Sequence, residues 1–132
     1  MRSINYYNTL ITVSADTKAG AGTVPTKAGT VAALQYQLVA ERPDALTSDD
    51  VLVAVTGLRR EVTEDEWEVL KAEIYAKPQA CFRTSPLVKT YGWGLYSDAE
   101  GRLRLVGVET PEYAAMIADP AITKVPGMRS SR

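Results

Sequence analysis

Apolar and polar side chains are interspersed along the first stretch of the chain, and its β-branched and aromatic residues are typical of a β-strand. Residues 4–13 read INYYNTLITV, with apolar side chains at both odd and even positions. Because successive side chains of a strand point to opposite faces, the pattern predicts a strand covered on both sides. Residues 16–29, DTKAGAGTVPTKAG, have no period and are predicted to form a mobile surface loop.

Three segments in the middle of the chain have the spacing of apolar residues that is typical of helices. The first is predicted over residues 30–41, with Thr30 as its N-cap. The third is predicted to begin with a capping box formed by Thr63 and Glu66 and to stop at Pro78.

The second of these segments, residues 48–60, has two interpretations. Ser48 as N-cap and the basic residues Arg59 and Arg60 at the other end suit a helix and its dipole. The run VLVAV inside it is β-branched, which is typical of a buried strand. We predict the helix, and the strand is the alternative.

The last third of the chain combines short helices with a hairpin. Ser85 is predicted to cap a helix that ends at Gly92, because serine is a good N-cap and glycine readily ends a helix. Residues 93–108 alternate around the polar turn AEG and predict a β-hairpin. Thr110, followed by proline, is predicted to cap a further helix.

Strand patterns at both ends of the chain and helical patterns between them predict an α+β fold. The expected sheet is small and antiparallel, with the N-terminal strand and the C-terminal hairpin covered by helices from the middle of the chain. We expect residues 1–119 to form a single globular α+β domain. Residues 120–132, PAITKVPGMRSSR, lack the period of a helix or strand and are expected to form a C-terminal tail.

The overall charge argues against two classes of partner. The chain has 132 residues and a net charge of −1, so no net field attracts it to nucleic acid or anionic lipid. The helix predicted from Thr63 onwards is rich in acidic side chains, which phosphates would repel. No apolar run approaches the ~20 residues that span a bilayer. We therefore expect neither a nucleic-acid partner nor a membrane.

The counts of cysteine and histidine restrict the chemistry further. The sequence has one cysteine and no histidine. A single cysteine cannot form an internal disulfide, and the N-terminus lacks the apolar core of a signal peptide, so a cytoplasmic location is expected. Without histidine there is no Ser-His or Cys-His catalytic pair and no histidine-ligated metal or haem. We therefore expect no metal and no cofactor.

Four segments of the chain resemble a known family. They read INYYNTLI, TSDDVL, SPLVKTYGWGLYSDAEGR and GVETPEY, in this order. In these segments the chain is similar to a family of small bacterial proteins of unknown function, and the similarity covers most of its length. The resemblance implies a compact single domain in the bacterial cytoplasm. It implies no activity, substrate or cofactor.

The segment CFRTSPLVKTYGWGLY, residues 81–96, concentrates side chains that could carry chemistry. Ser85 and Lys89 are four residues apart and share a helix face, so the lysine could act as a base toward the serine. This spacing differs from the S-x-x-K motif, and Ser85 has an alternative role as an N-cap. Cys81 beside Arg83 could form a reactive thiolate, although a free cysteine is more often a small buried apolar residue.

The same segment has aromatic side chains close in sequence to cations. Tyr91, Trp93 and Tyr96 accompany an arginine and a lysine, and such a set can form a pocket for an anionic or aromatic ligand. For Trp93 a position in the core is the alternative, because it begins a strand that must pack. The candidate pocket consists of seven residues: Cys81, Arg83, Ser85, Lys89, Tyr91, Trp93 and Tyr96.

Two hypotheses for the function follow. The favoured one is a non-enzymatic ligand-binding or protein-interaction module, because the chain lacks a recognisable catalytic constellation. The alternative is a small enzyme, Ser-Lys or thiol-dependent, that uses residues 81–96. We also predict a homodimer in which the apolar residues of the tail, Ile122, Val125 and Met128, lie in a groove of the partner subunit. A groove on the same chain is the alternative.

Overall fold

A computed structural model describes residues 3–130, with four strands, five helices and two short 3₁₀ turns in that range. The strands and helices are β1 (Thr9–Thr12), α1 (Val31–Glu41), α2 (Ser48–Arg59), α3 (Trp67–Ile74), α4 (Pro86–Lys89), β2 (Trp93–Ser97), β3 (Leu103–Gly107), α5 (Pro111–Ala118) and β4 (Thr123–Pro126). Single 3₁₀ turns at Glu64–Glu66 and Phe82–Thr84 precede α3 and α4. No helix in the described part of the chain is long and apolar enough to cross a membrane.

The strands form one mixed sheet in the order β3-β2-β1-β4. β1 runs antiparallel to β2, with Leu10 opposite Tyr96, and β2 forms the predicted hairpin with β3. β1 runs parallel to β4, with Ile11 opposite Val125. The predicted α+β fold, with a sheet built from N-terminal and C-terminal strands, is confirmed. The sheet is mixed rather than antiparallel, because the connection through α5 carries the chain from one edge to the other before β4 begins.

The C-terminal segment is part of this sheet, and the prediction that it lacks a strand is wrong. The backbone N–H of Gly127 donates to the carbonyl of Thr12 at 2.8 Å, and the N–H of Met128 donates to the carbonyl of Arg83 at 2.7 Å. Val125 packs against the main core of the same chain. The groove that receives this segment is therefore on its own chain. The strand was missed because its hydrogen bonds come from β1, far away in sequence.

The two faces of the sheet are covered unequally. On one face, Ile11, Leu95 and Leu103 pack against residues of α1, α2 and α4 and form the main core. On the other face, Leu10 and Val106 pack against Tyr113 of α5. Burying one such aliphatic side chain stabilises the fold by roughly 1.5–3 kcal/mol, so most of the core energy lies on the side of α1, α2 and α4.

Three predicted helix caps are confirmed by hydrogen bonds. The hydroxyls of Thr30, Ser85 and Thr110 accept from the backbone N–H groups of Ala33, Leu87 and Tyr113. Each hydroxyl satisfies one of the donors that the first turn of a helix leaves free.

Two other predicted caps are wrong. Residues 48–59 form the predicted helix α2, but its N-cap is Thr47, which forms a capping box with Asp50. Thr63 donates instead to the carboxylate of Asp65, and no side chain caps the 3₁₀ turn that follows. Thr63 was expected to pair with Glu66, but the backbone N–H of Glu66 donates to the carbonyl of Thr63 at 3.0 Å within the 3₁₀ turn and is not free for the hydroxyl.

The first strand is shorter than predicted. Residues 4–13 were expected to be extended throughout, but β1 comprises only Thr9–Thr12. Asn8 has a φ of 48°, which breaks the extended conformation just before the strand. Residues 16–29 contain no helix or strand, as predicted. They are fastened to the domain by Thr23, whose N–H donates to the carbonyl of Tyr91 at 2.8 Å.

Candidate ligand-binding site

Ser85, the predicted nucleophile of the Ser-Lys hypothesis, is a buried structural residue with 2% of its surface exposed. Its hydroxyl accepts from the N–H of Leu87 at 3.1 Å and donates to Oε1 of Gln35 at 2.6 Å. Lys89 interacts with Ser85 through backbone atoms: the backbone N–H of Lys89 donates to the carbonyl of Ser85 at 3.1 Å. Since a serine has one proton to donate, its hydroxyl has no further hydrogen for a base such as Lys89 to take without breaking the bond to Gln35.

Cys81 and Arg83 interact with different parts of the molecule. The Sγ of Cys81 accepts from the hydroxyl of Tyr6 at 3.3 Å. Burial of Tyr6 and this hydrogen bond raise the pKa of Tyr6 to about 12. The Nε of Arg83 donates to the carbonyl of Pro126 at 2.6 Å. Arg83 therefore holds the C-terminal strand, while Cys81 anchors the N-terminal segment.

The aromatic residues of the predicted pocket are divided between the two faces of the sheet, which corrects the expected cluster. Trp93 packs toward the main core, with its ring centroid 5.7 Å from that of Tyr36. Tyr96, three residues further along β2, packs against the α5 cluster on the other face. Residues an odd number of positions apart in a strand point to opposite faces.

The remaining contacts of these aromatic residues are structural. The Nε1 of Trp93 donates to the carbonyl of Thr23 at 2.8 Å. A Cβ on Gly22 would lie 2.9 Å from the ring of Trp93, so glycine permits the close contact. Tyr91 packs against the main core, and its carbonyl also binds Thr23. Residues 81–96 thus form a junction that fastens the loop, the sheet and the C-terminal strand.

A cavity with a different character lies between the first turns of α1 and the last turns of α2, and we call it the α1–α2 cavity. Its volume is about 440 Å³. Apolar side chains from both helices form part of its wall, and polar side chains complete it. The lining residues are Val31, Gln35, Leu52, Val55, Thr56, Arg59 and Arg60.

Three of the four polar side chains of the α1–α2 cavity have hydrogen-bond donors without an acceptor in the described part of the chain. Gln35 is 6% exposed, and no residue within 3–130 accepts from its Nε2. Arg59 and Arg60 form no ion pair within that same range. Thr56 differs, because its hydroxyl already donates to the carbonyl of Leu52 at 2.8 Å. None of the lining residues is acidic.

The two arginines also border neighbouring cavities. Arg60 lines a cavity of about 360 Å³ between α2 and α3, where Glu73 is also found. Arg59 lines another of about 500 Å³ together with Glu61. Acidic side chains in those cavities make them less attractive to an anion than the α1–α2 cavity.

The carboxyl group of Asp49, a buried residue, has a structural role. Asp49 accepts from the Ser3 hydroxyl at 2.6 Å, from the Ile4 N–H at 2.9 Å and from the Tyr75 hydroxyl. Burial of Tyr75, followed by this hydrogen bond, raises the pKa of Tyr75 above its usual range. The carboxylate is thus satisfied by donors from two segments, the N-terminal segment and the end of α3, and it ties both to α2.

The sequence pattern did not identify Gln35 as a candidate site residue, and it did not indicate that the two arginines border a cavity. A signal for Gln35 exists, because it occupies one row of α1 with Val31 and Val39, at intervals of four residues. A glutamine within an apolar row of a helix has to find a partner when it is buried. The arginines gave no such signal, because basic residues at the end of a helix also complement its dipole.

Comparison with known proteins gives a family but no function. Residues 1–132 match the model of DUF6157, a family of unknown function. No curated protein and no solved structure matches the chain. Within the described part of the chain, no group of three or more cysteine or acidic side chains could hold a metal ion.

Proposed function

We propose that this chain, which belongs to DUF6157, a family of unknown function, is a non-enzymatic domain that binds a small organic anion in the α1–α2 cavity. The observation that carries the proposal is the set of donors described above. A buried amide and two arginines border one cavity, and within residues 3–130 none of them has an acceptor.

The dimensions and the walls of the cavity support a small-molecule ligand. A volume of about 440 Å³ lies within the range of ligand pockets, roughly 300–1,000 Å³. Such pockets are mostly apolar and fix the ligand with a few polar groups. Val31, Leu52 and Val55 can cover the apolar part of a ligand, and Arg59 and Arg60 can neutralise its charge.

The chemistry of the lining residues favours binding over catalysis. The cavity has neither a carboxylate, a lysine, a tyrosine nor a thiol that could act as general acid or base. An arginine side chain stays charged and does not exchange protons near neutral pH. Of the seven pocket residues predicted from the sequence, Ser85 has a part in this proposal, because its hydroxyl donates to Gln35 and holds that side chain in place.

The location and the oligomeric state are further parts of the proposal. We place the protein in the cytoplasm of bacteria, on the basis of its single cysteine and the family resemblance. A homodimer stays a prediction, and it would use a surface other than the C-terminal strand. Light scattering at micromolar concentration tests it, and a monomer would refute the prediction.

A thermal-shift screen against a library of metabolites tests the proposed function. We expect small organic anions to raise the melting temperature, because a ligand that binds only the folded state stabilises it. The shift should disappear in the double variant Arg59→Gln/Arg60→Gln.

The matched control is Arg42→Gln, which removes one exposed charge from the far end of α1. This variant should keep the shift. A library in which no anion stabilises the protein, or a shift that survives in the double variant, would contradict the proposed function.

A further inference from the structure

We infer that the α1–α2 cavity takes a carboxylate carried on an apolar body, and that Gln35 recognises the carboxylate because Ser85 fixes its orientation. The inference rests on the proposed function and names the class of ligand. It depends on the direction of the two hydrogen bonds that connect Leu87, Ser85 and Gln35.

The donor and the acceptor of each of these two hydrogen bonds follow from which atoms carry a hydrogen. The N–H of Leu87 points at the Oγ of Ser85, so the serine accepts there. Because Oε1 of Gln35 carries no hydrogen, the hydroxyl proton of Ser85 forms the contact with it at 2.6 Å. An amide whose oxygen is occupied in this way presents its NH₂ group elsewhere. Gln35 lines the cavity, so its two N–H donors are available to a ligand there.

Gln35 is held in this orientation by burial as well as by Ser85. With 6% of its surface exposed, its side chain has little room to turn into solvent. The serine is itself anchored as the N-cap of α4. Ser85 is therefore a positioning residue, and it acts on the ligand through Gln35.

The cavity therefore offers donors and requires an acceptor from the ligand. An ammonium group would meet Arg59 and Arg60 without a compensating acidic residue, so a cationic ligand is excluded. The two oxygens of a carboxylate match one amide and one guanidinium group. A phosphate dianion carries more charge and costs more to remove from water than a carboxylate, and the apolar walls formed by Val31, Leu52 and Val55 suit an apolar body better than a second charge.

Matched ligands test the chemical class. Hexanoate, hexanamide and hexyl phosphate share one apolar chain and differ in the head group, and benzoate, benzamide and phenyl phosphate repeat the comparison with a ring. Binding is measured by isothermal titration calorimetry, and the site by NMR chemical shifts of α1 and α2. We expect the carboxylates to bind at least about tenfold more tightly than their amides, since a hydrogen bond to a charged group is stronger than a neutral one.

Variants of Gln35 test its role. Gln35→Glu keeps an oxygen for Ser85 but removes both N–H donors, so hexanoate binding should weaken by roughly tenfold to hundredfold. Gln37→Glu makes the same change at an exposed position of the same helix and should leave binding unchanged. Equal binding by the Gln35→Glu variant and the unaltered protein would overturn the inference.

The role of Ser85 has its own measurement. In Ser85→Ala the amide of Gln35 is free to turn over, so the preference for hexanoate over hexanamide should fall. Ser85→Thr retains a hydroxyl and should restore that preference. A purely structural role would leave the preference unchanged, and this result would overturn the assignment of Ser85.

The outcomes separate the inference from the proposed function. If the phosphates bind more tightly than the carboxylates in the α1–α2 cavity, the inference is wrong and the proposed function stands. If neither these ligands nor any anion of the library binds, both are wrong. If the carboxylates bind outside α1 and α2, the inference is also wrong.

Discussion

Residues 81–96 and the C-terminal end of α2 differ in how their polar groups are satisfied. In the first region, Cys81 accepts from Tyr6, Ser85 bonds Gln35, and Trp93 donates to Thr23. In the second, Arg59 and Arg60 border a cavity and have no ion-pair partner within residues 3–130.

The difference shows which kind of residue is available for binding. A polar side chain that already has protein partners stabilises the fold, and its removal leaves another group unsatisfied. An exposed side chain such as Arg59, which has no ion-pair partner within residues 3–130, contributes little to the fold and can be used by a ligand. The region with the greater variety of reactive side chains is therefore the structural one.

The largest effect is expected at Gly92, which joins residues 81–96 to the loop. Gly92 has a φ of 76°, and an added Cβ would overlap the carbonyl oxygen of Ala21. We expect Gly92→Ala to lower the free energy of unfolding by about 3 kcal/mol or more, from backbone strain and the clash together. Urea denaturation measures this loss.

Gly29→Ala is the matched control for this prediction. Gly29 has a similar φ of 79°, but nothing lies within 4 Å of an added Cβ. This variant should lose only about 1 kcal/mol, from strain alone. If both variants lose the same free energy of unfolding, the loop moves away from the added Cβ at little cost, and residues 81–96 do not hold it in place.

A smaller effect is expected from pH, again in the first region. The pKa of Tyr6 is raised to about 12, whereas an unfolded chain releases this proton near pH 10. The folded state binds the proton more tightly, so the stability it contributes is complete below pH ~10 and is lost as the pH rises to about 12. Urea denaturation over this range should show the decrease, and Tyr6→Phe should make it shallower.

Tyr7→Phe is the control, because Tyr7 is exposed. It should leave the pH dependence unchanged. Part of the decrease should persist in Tyr6→Phe as well, since burial and Asp49 also raise the pKa of Tyr75. If Tyr7→Phe alters the curve as much as Tyr6→Phe, the contact between Tyr6 and Cys81 does not contribute to stability.

The smallest effect on stability is expected in the second region. Arg59 is exposed, so Arg59→Gln should cost only about 0.5 kcal/mol, from its interaction with the dipole of α2. The same variant should weaken anion binding in the thermal-shift assay. A loss of about 2 kcal/mol or more in urea denaturation would show a structural role for Arg59 and would remove the contrast between the regions.

Features that depend on neighbouring residues in sequence were the most predictable. Thr30, Ser85 and Thr110 were identified as caps because each cap bonds a backbone N–H two or three residues away. The hairpin followed from alternation around a short turn. Thr47 was missed in favour of Ser48 because both residue types can cap, and only the geometry distinguishes them.

Features that depend on distant contacts were not predictable in this way. β4 is a strand because β1 offers it hydrogen bonds, although its own sequence ends in Pro126, follows Pro120 and has no clear period. The availability of Gln35 depends on a hydrogen bond from Ser85, fifty residues away in sequence. The division of Trp93 and Tyr96 between two faces could have been foreseen, because residues three apart in a strand face opposite ways.

The position of β1 has a consequence for biosynthesis. β1 lies between β2 and β4, and both neighbours come from the last third of the chain. Ribosomes add roughly 5–20 residues per second, so Leu10 and Ile11, fully buried in the finished domain, wait for seconds before their partners exist. Pairing between such distant segments also slows folding itself. We therefore expect the nascent chain to expose this apolar segment to chaperones, and the domain to fold only after most of the chain has left the ribosome.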